Sequence, residues 1–320
     1  MSEQFHKDIH RDSFKLRCLL TNQCNNNCFY CLNDFQQKHP EEYIDGAMLH
    51  AVAQRYVEFC KLYDLKSEIY FSGGEPSVHP GFQSITERIA LLNPDKFVCC
   101  SNGKNLSVYP GTYQKFTELH ISIHDPVIHL GYFNAVAQQI VKNVATASGG
   151  NSRLKELVIS AVFNPEADST QFYSQNNLCG LNGEMLENLH DVAEDNENSA
   201  KSMLKAVGID LHFKLWAMYQ RRNDEAYMSM YRNFINSHKW ILNRGQDFTP
   251  HNRGPLCHGC TKDCVTLKAL WLFPNNTASG CPQHTKATVY NLANVGENYL
   301  NYMLFEVYRA HQCTGTGERS

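Results

Sequence analysis

Cys24, Cys28 and Cys31 lie within a few residues of one another in the stretch TNQCNNNCFYCLND (21–34). Thiolates this close share one short loop, and their softness selects zinc or an iron-sulfur cluster over hard cations. A structural zinc site takes four protein ligands, so three cysteines leave it open or require a distant fourth. A four-iron cluster uses three cysteines differently: each takes one iron, and the remaining iron stays open to a small molecule.

Two further segments have chemical character. FSGGEPSVHP (71–80) carries Gly73, Gly74 and Glu75 at the end of an apolar run. Paired glycines there let backbone approach a ligand with no Cβ in the way, and Glu75 offers an acceptor for an ammonium group. Near the other end, Cys257 and Cys260 form a CxxC, Cys264 follows, and Cys281 closes the set after LKALWLFPNNTASG. The PNN signal between two apolar runs predicts a hairpin. Four cysteines around a hairpin suit zinc or an iron-sulfur cluster, and spacing does not separate the two. Cys18, Cys60, Cys99, Cys100, Cys179 and Cys313 lie apart and read mostly as small buried hydrophobes.

The elements that must position these groups are legible as apolar runs: 16–21, 68–72, 97–101, 118–124, 156–163 and 210–217. Several are nearly continuous, as expected of parallel strands covered on both faces. Helical spacing appears at 45–63 (Leu49, Val52, Ala53, Tyr56, Cys60, Tyr63), at 127–147 and at 224–238. Strands separated by helical crossovers imply an α/β fold with a parallel sheet or partial barrel, whose chemistry sits at the carboxyl ends of the strands. The polar, acidic segment 164–205 reads as a lid, a substrate-contacting loop or a solvated insertion. Composition shifts toward Cys, Gly and Pro near residue 245, which sets the expected domain boundary.

A chain of 320 residues is long enough for one large core with a small appendage, and its formal net charge of -3 lacks the basic footprint of a nucleic-acid binder. MSEQFHKDIHRDS has no apolar signal-peptide core, and no run approaches a membrane span. A cytoplasmic protein with neither a nucleic-acid nor a membrane partner is expected. Thirteen cysteines in a reducing compartment then point to metal rather than disulfides.

With these residues in view, the sequence resembles the radical SAM enzymes: CNNNCFYC looks like that family's signature, and GGEP follows as it does there. The resemblance implies a partial (β/α)6 barrel over 15–244, after a tail at 1–14. It implies that Cys24, Cys28 and Cys31 hold a [4Fe-4S] cluster whose open iron chelates S-adenosylmethionine (SAM), that Tyr30 lies near the adenine, and that Gly73, Gly74 and Glu75 meet the methionine amino group. CSNGKNL (Ser101, Asn102) and ISIHDP (Ser122, His124, Asp125) are similar to later family motifs, and Ser160 to Asn164 offers a further SAM contact. Where many relatives carry an acidic residue, this chain has His124.

Residues 245–320 resemble the SPASM/twitch extension, a Cys-rich hairpin and helix holding auxiliary [4Fe-4S] clusters, although Asn276 stands where the hairpin turn usually has glycine. Cys257, Cys260, Cys264 and Cys281 are the implied ligands, with zinc as the alternative metal and Cys313 as an outside candidate. The family's chemistry is reductive cleavage of SAM to a 5′-deoxyadenosyl radical, which takes hydrogen from substrate. An electron donor such as flavodoxin or ferredoxin is implied. The expected substrate is a ribosomally made peptide, delivered by a separate recognition protein, with cross-linking, thioether formation or epimerisation as the outcome. The alternatives are a small-molecule dehydrogenase or cyclase, and a non-catalytic iron-sulfur or zinc protein. The tail TGTGERS differs from the paired glycines of the molybdenum-cofactor cyclase. His79, His124, Trp216 and Tyr219 are pocket candidates that read first as packing or surface residues.

Overall fold

The computed structural model describes residues 13–26, 28, 31, 41–123, 129–145, 152–167, 180–194, 199–218, 221, 224–242, 269–280, 289–293 and 296–312. In chain order its first elements are β1 (Ser13–Leu19), α1 (Gly46–Leu62), β2 (Lys66–Ser72), α2 (Phe82–Leu91), β3 (Lys96–Ser101), α3 (Pro110–Tyr113), β4 (Glu118–Ile123), α4 (His129–Ala145) and β5 (Glu156–Phe163). There follow α5 (Gly183–Glu194), α6 (Ala200–Ala206), β6 (Asp210–Ala217), α7 (Glu225–Ser237), β7 (Ala269–Leu272), β8 (Thr277–Ser279), β9 (Val289–Asn291) and α8 (Glu297–Gln312). The chain divides into two compact units, one of Met1–Gln23, Gln37–Val98 and Phe248–Ser320, the other of Cys24–Gln36 and Cys99–Asp247.

In the first unit β1 pairs in parallel with both β2 and β7. The register sets Lys15 beside Glu68, and Arg17 beside Tyr70 and Trp271, so these side chains share one face. Leu16 and Cys18, level with Ile69, Phe71, Leu270 and Leu272, share the other. All six of these are buried. On that apolar side Phe14 meets Tyr56 and Phe59 of α1 and Tyr308 of α8, with ring centroids 5.7, 6.0 and 5.8 Å away. Asp45 starts α1 by accepting the Met48 N–H at 2.7 Å, which satisfies a donor the helix itself leaves unpaired. The predicted hairpin is present: β8 runs antiparallel to β7, and β9 to β8. Its turn closes at Asn276, φ +59°, a left-handed conformation asparagine tolerates. The same side chain accepts the Asp45 N–H at 2.8 Å, tying the turn to the start of α1.

The second unit is built on β4, β5 and β6, parallel throughout. Leu119, Ile121, Leu157, Ile159, Phe213 and Leu215 are buried on one face. Phe213 lies 6.3 Å from Phe133 of α4 and 5.7 Å from His190 of α5, so the helices cover that side. The opposite face carries Glu118, His120, Ser122, Glu156, Ser160, His212, Lys214 and Trp216. Tyr227 and Tyr231 of α7 are fully buried, and their hydroxyls donate to the Phe163 and Leu215 carbonyls at the ends of β5 and β6.

The α/β class with a parallel sheet agrees with the sequence expectation, and β5 and β6 fall on the predicted residues. β3 and β5 are buried on nearly every residue, as expected of strands covered on both faces, whereas on β1, β4 and β6 polar residues recur at every second position. One expectation changes. The segment 164–205, read as a lid or solvated insertion, contains α5 and α6. Met185, Leu186, Leu189 and Leu204 are buried at helical spacing, and α5 and α6 pack on α4. The boundary at residue 245 lies outside the described residues. No described helix is long and apolar enough to cross a membrane.

Candidate functional site

The segment that leads from β1 into the first cysteine is held by backbone on both sides. Leu20 N–H donates to the Ser72 carbonyl at 2.9 Å, Gly74 N–H to Thr21 at 2.8 Å and Glu75 N–H to Gln23 at 2.7 Å. On the other flank Ile44 N–H donates to Leu20, the Thr21 hydroxyl to the Glu42 carbonyl, and Glu42 N–H to Asn22 Oδ1. The glycines are required by this approach. A Cβ on Gly74 would stand 2.1 Å from the Gln23 carbonyl oxygen, and one on Gly73, at φ +127°, 2.5 Å from that of Thr21. In the structure these glycines let the turn press against the strand exit. Glu75 is 1% exposed and its Oε1 accepts from the Ser77 N–H and hydroxyl at 3.2 and 2.6 Å. It caps the single turn Pro76–Val78 that follows.

Gln23 is one peptide bond from Cys24, where the second unit begins. Cys24 and Cys28 are half-buried and Cys31 is exposed. Cys31 N–H donates to the Cys28 carbonyl at 3.0 Å. The Cys24 sulfur receives the Asn26 N–H at 3.3 Å and faces Asn102 Nδ2 at 4.0 Å. Asn102 also donates to Asn25 Oδ1 at 2.6 Å, and Lys104 Nζ to the Asn25 carbonyl at 3.3 Å. Its neighbour Ser101 accepts the Gly103 N–H at 2.9 Å and lies 3.5 Å from the Tyr113 hydroxyl. Of the pair proposed from CSNGKNL, Asn102 is thus the one that reaches the cysteine loop.

The donor set suits an iron-sulfur cluster: three thiol side chains on one loop, with N–H groups directed at the Cys24 sulfur, as ligating sulfurs require. Among the described residues no three His, Cys, Asp or Glu side chains converge to metal-holding separation. Cys257, Cys260, Cys264, Cys281 and Cys313 lie outside the described residues, as do Tyr30, His124, Asp125 and Tyr219.

Ser122 is half-buried and level with buried Ser160 on β5. Asn164 accepts the Glu166 N–H at 3.2 Å, part of the turn after β5. His79 is structural: its Nδ1 accepts the Gly81 N–H, its Nε2–H donates to the Ile44 carbonyl, and burial holds its pKa down. Trp216 is 37% exposed at the carboxyl end of β6.

Sequence reading passed over the polar face itself. Arg17 stacks between the rings of Tyr70 and Trp271, 4.6 and 5.2 Å from their centroids. On β4, His120 Nε2 contacts Glu118 Oε1, and the same ring hydrogen-bonds Cys100. Burial works to lower the His120 pKa, but the bonds to Cys100 and Glu118 outweigh it, against the Lys214 charge, and hold the ring above its ordinary value. The signal was present as polar residues at period two inside apolar runs: Lys15 and Arg17, Glu68 and Tyr70, Glu118 and His120, His212 and Lys214.

Residues 18–131 match the model of the radical SAM superfamily. Among curated proteins the chain is similar to the GTP 3′,8-cyclase of Psychromonas ingrahamii, 29% identical over 109 residues, which is 33% of this chain and 31% of that protein. The GTP 3′,8-cyclase of Vibrio vulnificus is 25% identical over 129 residues, 38% of this chain and 37% of that one. The chain thus spans about a third of the length of these relatives. Among solved structures, Streptococcus suis SuiB bound to S-adenosylmethionine has a TM-score of 0.53 at 11% identity over 98% of this chain and 73% of SuiB. The enzyme anSMEcpe with AdoMet and a peptide has 0.54 at 12% identity over 93% and 82%. At such identity these likenesses establish the fold. The cysteine loop, the Gly-Gly-Glu turn and Asn102 all lie inside the span that matches the radical SAM superfamily model.

Proposed function

We propose that this protein is a radical SAM enzyme in which Cys24, Cys28 and Cys31 hold a [4Fe-4S] cluster with SAM on its open iron. The observation that carries this reading is CNNNCFYC directly after the exit of β1, within the span matched by the radical SAM model. When bound, the cluster supplies the electron that splits SAM into methionine and the 5′-deoxyadenosyl radical. The chain's part is positional. Gly73 and Gly74 fix the trajectory into Cys24, Asn102 and the Asn26 N–H donate toward its sulfur, and ligand bonds offset the cost of gathering the other two thiolates. Tyr30, Glu75 and Ser122 are assigned to SAM by their match to the family motifs.

For the substrate we take a ribosomally made peptide first. SuiB has been solved with its precursor peptide and anSMEcpe with a peptide, and this chain shares their fold. A small-molecule substrate is the second reading, favoured by the sequence relatives named GTP 3′,8-cyclase. Residues 15–244 form the barrel in this reading and 245–320 an auxiliary domain, with Cys257, Cys260, Cys264 and Cys281 holding a second cluster or zinc. A flavodoxin or ferredoxin supplies electrons, and a separate protein presents a peptide substrate.

The test is anaerobic reconstitution with iron and sulfide, iron counting, reduction, and chromatographic measurement of 5′-deoxyadenosine from SAM. About eight irons per chain are expected with two clusters, and about four plus one zinc if the C-terminal site is structural. Replacing Cys24, Cys28 and Cys31 together by Ala abolishes cleavage, and its persistence in that variant overturns the assignment. Supplying GTP or candidate peptides with deuterium and following its transfer into 5′-deoxyadenosine separates the two substrate classes.

A further inference from the structure

Cys99 and Cys100 are neighbours on β3 with opposite surroundings. Cys99 is fully buried, whereas Cys100 is half-buried and hydrogen-bonded to His120. His120 in turn contacts Glu118, which lies two residues earlier on β4 and therefore on the same face. The carboxylate is 3% exposed, so its contact with the ring is shielded from solvent. Cys18 and Cys60 are set differently. Burial pushes the Cys18 thiol far above its ordinary range and that of Cys60 up to about 12, as befits inert core residues.

A thiol bonded to an imidazole that a buried carboxylate orients is an arrangement that makes sulfur nucleophilic. We propose that Cys100, His120 and Glu118 form a reactive thiol site on the polar face of the second unit, whose ligand is a polar molecule bearing an electrophilic carbon. The Cys100 proton passes to the His120 ring, leaving thiolate beside imidazolium, and Glu118 fixes the ring's orientation and charge. With a carbonyl compound the sulfur forms a C–S bond, the C=O π pair moves to oxygen, and that oxygen takes the proton back from His120. The product is a hemithioacetal, with no leaving group and no redox change. The remaining titratable groups on this face of β5 and β6 are Glu156, Asp210, His212 and Lys214, and the Lys214 charge opposes protonation of His120.

The site does not depend on the proposed SAM chemistry, and its test reads sulfur directly. The full-length reconstituted chain is treated anaerobically with iodoacetamide from pH 5.5 to 9.5, and the alkylated residue is located by peptide fragmentation, with Cys99 as the internal reference. Carbon–sulfur bond formation then expels iodide. Cys100 is expected to react at pH 6.5 at least about tenfold faster than in His120→Gln, with Glu118→Gln between the two. Negatively charged iodoacetate, relative to neutral iodoacetamide, is favoured at Cys100 in the wild type, and that preference falls in His120→Gln because the imidazolium is gone. Circular dichroism checks that each variant is folded, and Glu118→Gln carries the comparison if His120→Gln is not. An ordinary thiol profile centred near about pH 8.5 and unchanged in both variants overturns the proposal, as does absence of Cys100 alkylation at every pH.

Discussion

After β2 the chain turns through Gly73 and Gly74 with its backbone against Thr21 and Gln23; after β3 it turns through Ser101, Asn102 and Gly103, where the Asn102 side chain reaches the loop at Asn25 and Cys24. Both exits end in glycine-containing turns that bear on the cysteine segment, yet the first works through main chain and the second through one side chain. Main-chain contact at 2.7 to 2.8 Å leaves no room for a Cβ and no rotamer to relax into. A side-chain contact can be lost by degrees. The two turns should therefore respond very differently to small substitutions.

The largest effect is expected for Gly74→Ala, whose Cβ would meet the Gln23 carbonyl at 2.1 Å. Displacing backbone by that much costs about 3 kcal/mol or more, seen as a fall in the urea midpoint and as poor iron incorporation. Wild-type behaviour in both assays would break the comparison. Gly73→Ala combines a 2.5 Å approach to Thr21 with φ +127° and should cost about 2–3 kcal/mol.

Gly103→Ala sharpens the contrast, because its Cβ would meet side chains and not backbone: the Tyr132 hydroxyl at 2.9 Å, Ile121 Cγ2 at 3.2 Å and Leu106 Cδ1 at 3.4 Å. The cost is about 1–2 kcal/mol, arising chiefly from φ +76°. Asn102→Ala removes the bond to Asn25 and the approach to Cys24, worth about 1 kcal/mol of stability. Its larger consequence should be faster loss of iron to a chelator, since a ligating sulfur loses a donor. Unchanged release would remove Asn102 from the site.

The smallest effect concerns His120 on β4, whose partner Cys100 stands just before the second exit. His120 has a folded pKa above 6.5, so its contribution to stability is fully present below that pH and is lost as pH rises through the folded value. Urea midpoints of wild type and His120→Gln should differ at pH 6 and converge toward pH 9. A gap that widens with pH would reverse the assignment.

Much of the site was legible because its chemistry is local in sequence. Three cysteines on one loop announce a soft metal, and paired glycines at a strand end announce close approach, whatever the fold around them. What the glycines approach was not legible, because Thr21 and Gln23 lie some fifty residues earlier, in the segment after β1, the strand that pairs in parallel with β2. The polar face was half-legible. The alternation of Glu118, His120 and Ser122 is visible in ELHISIH, but the apolar residues between them dominated the reading of the run as doubly covered. The helix α5 was hidden by its acidic residues Glu184, Glu187, Asp191 and Glu194, and α6 by its shortness.

The sequence by itself determined the thiol loop, the strands and helices that carry it, and the turn chemistry of Gly73, Gly74 and Asn276, since each follows from spacing, hydrophobic period or backbone freedom. Tertiary structure alone decided that the Gly74 and Glu75 N–H groups meet Thr21 and Gln23, that Asn102 touches the cysteine loop, and that Cys100 differs from Cys99. Those facts depend on which residues from distant strands fall level with one another, and a register shift of a single position would exchange every polar side chain on a strand for its apolar neighbour.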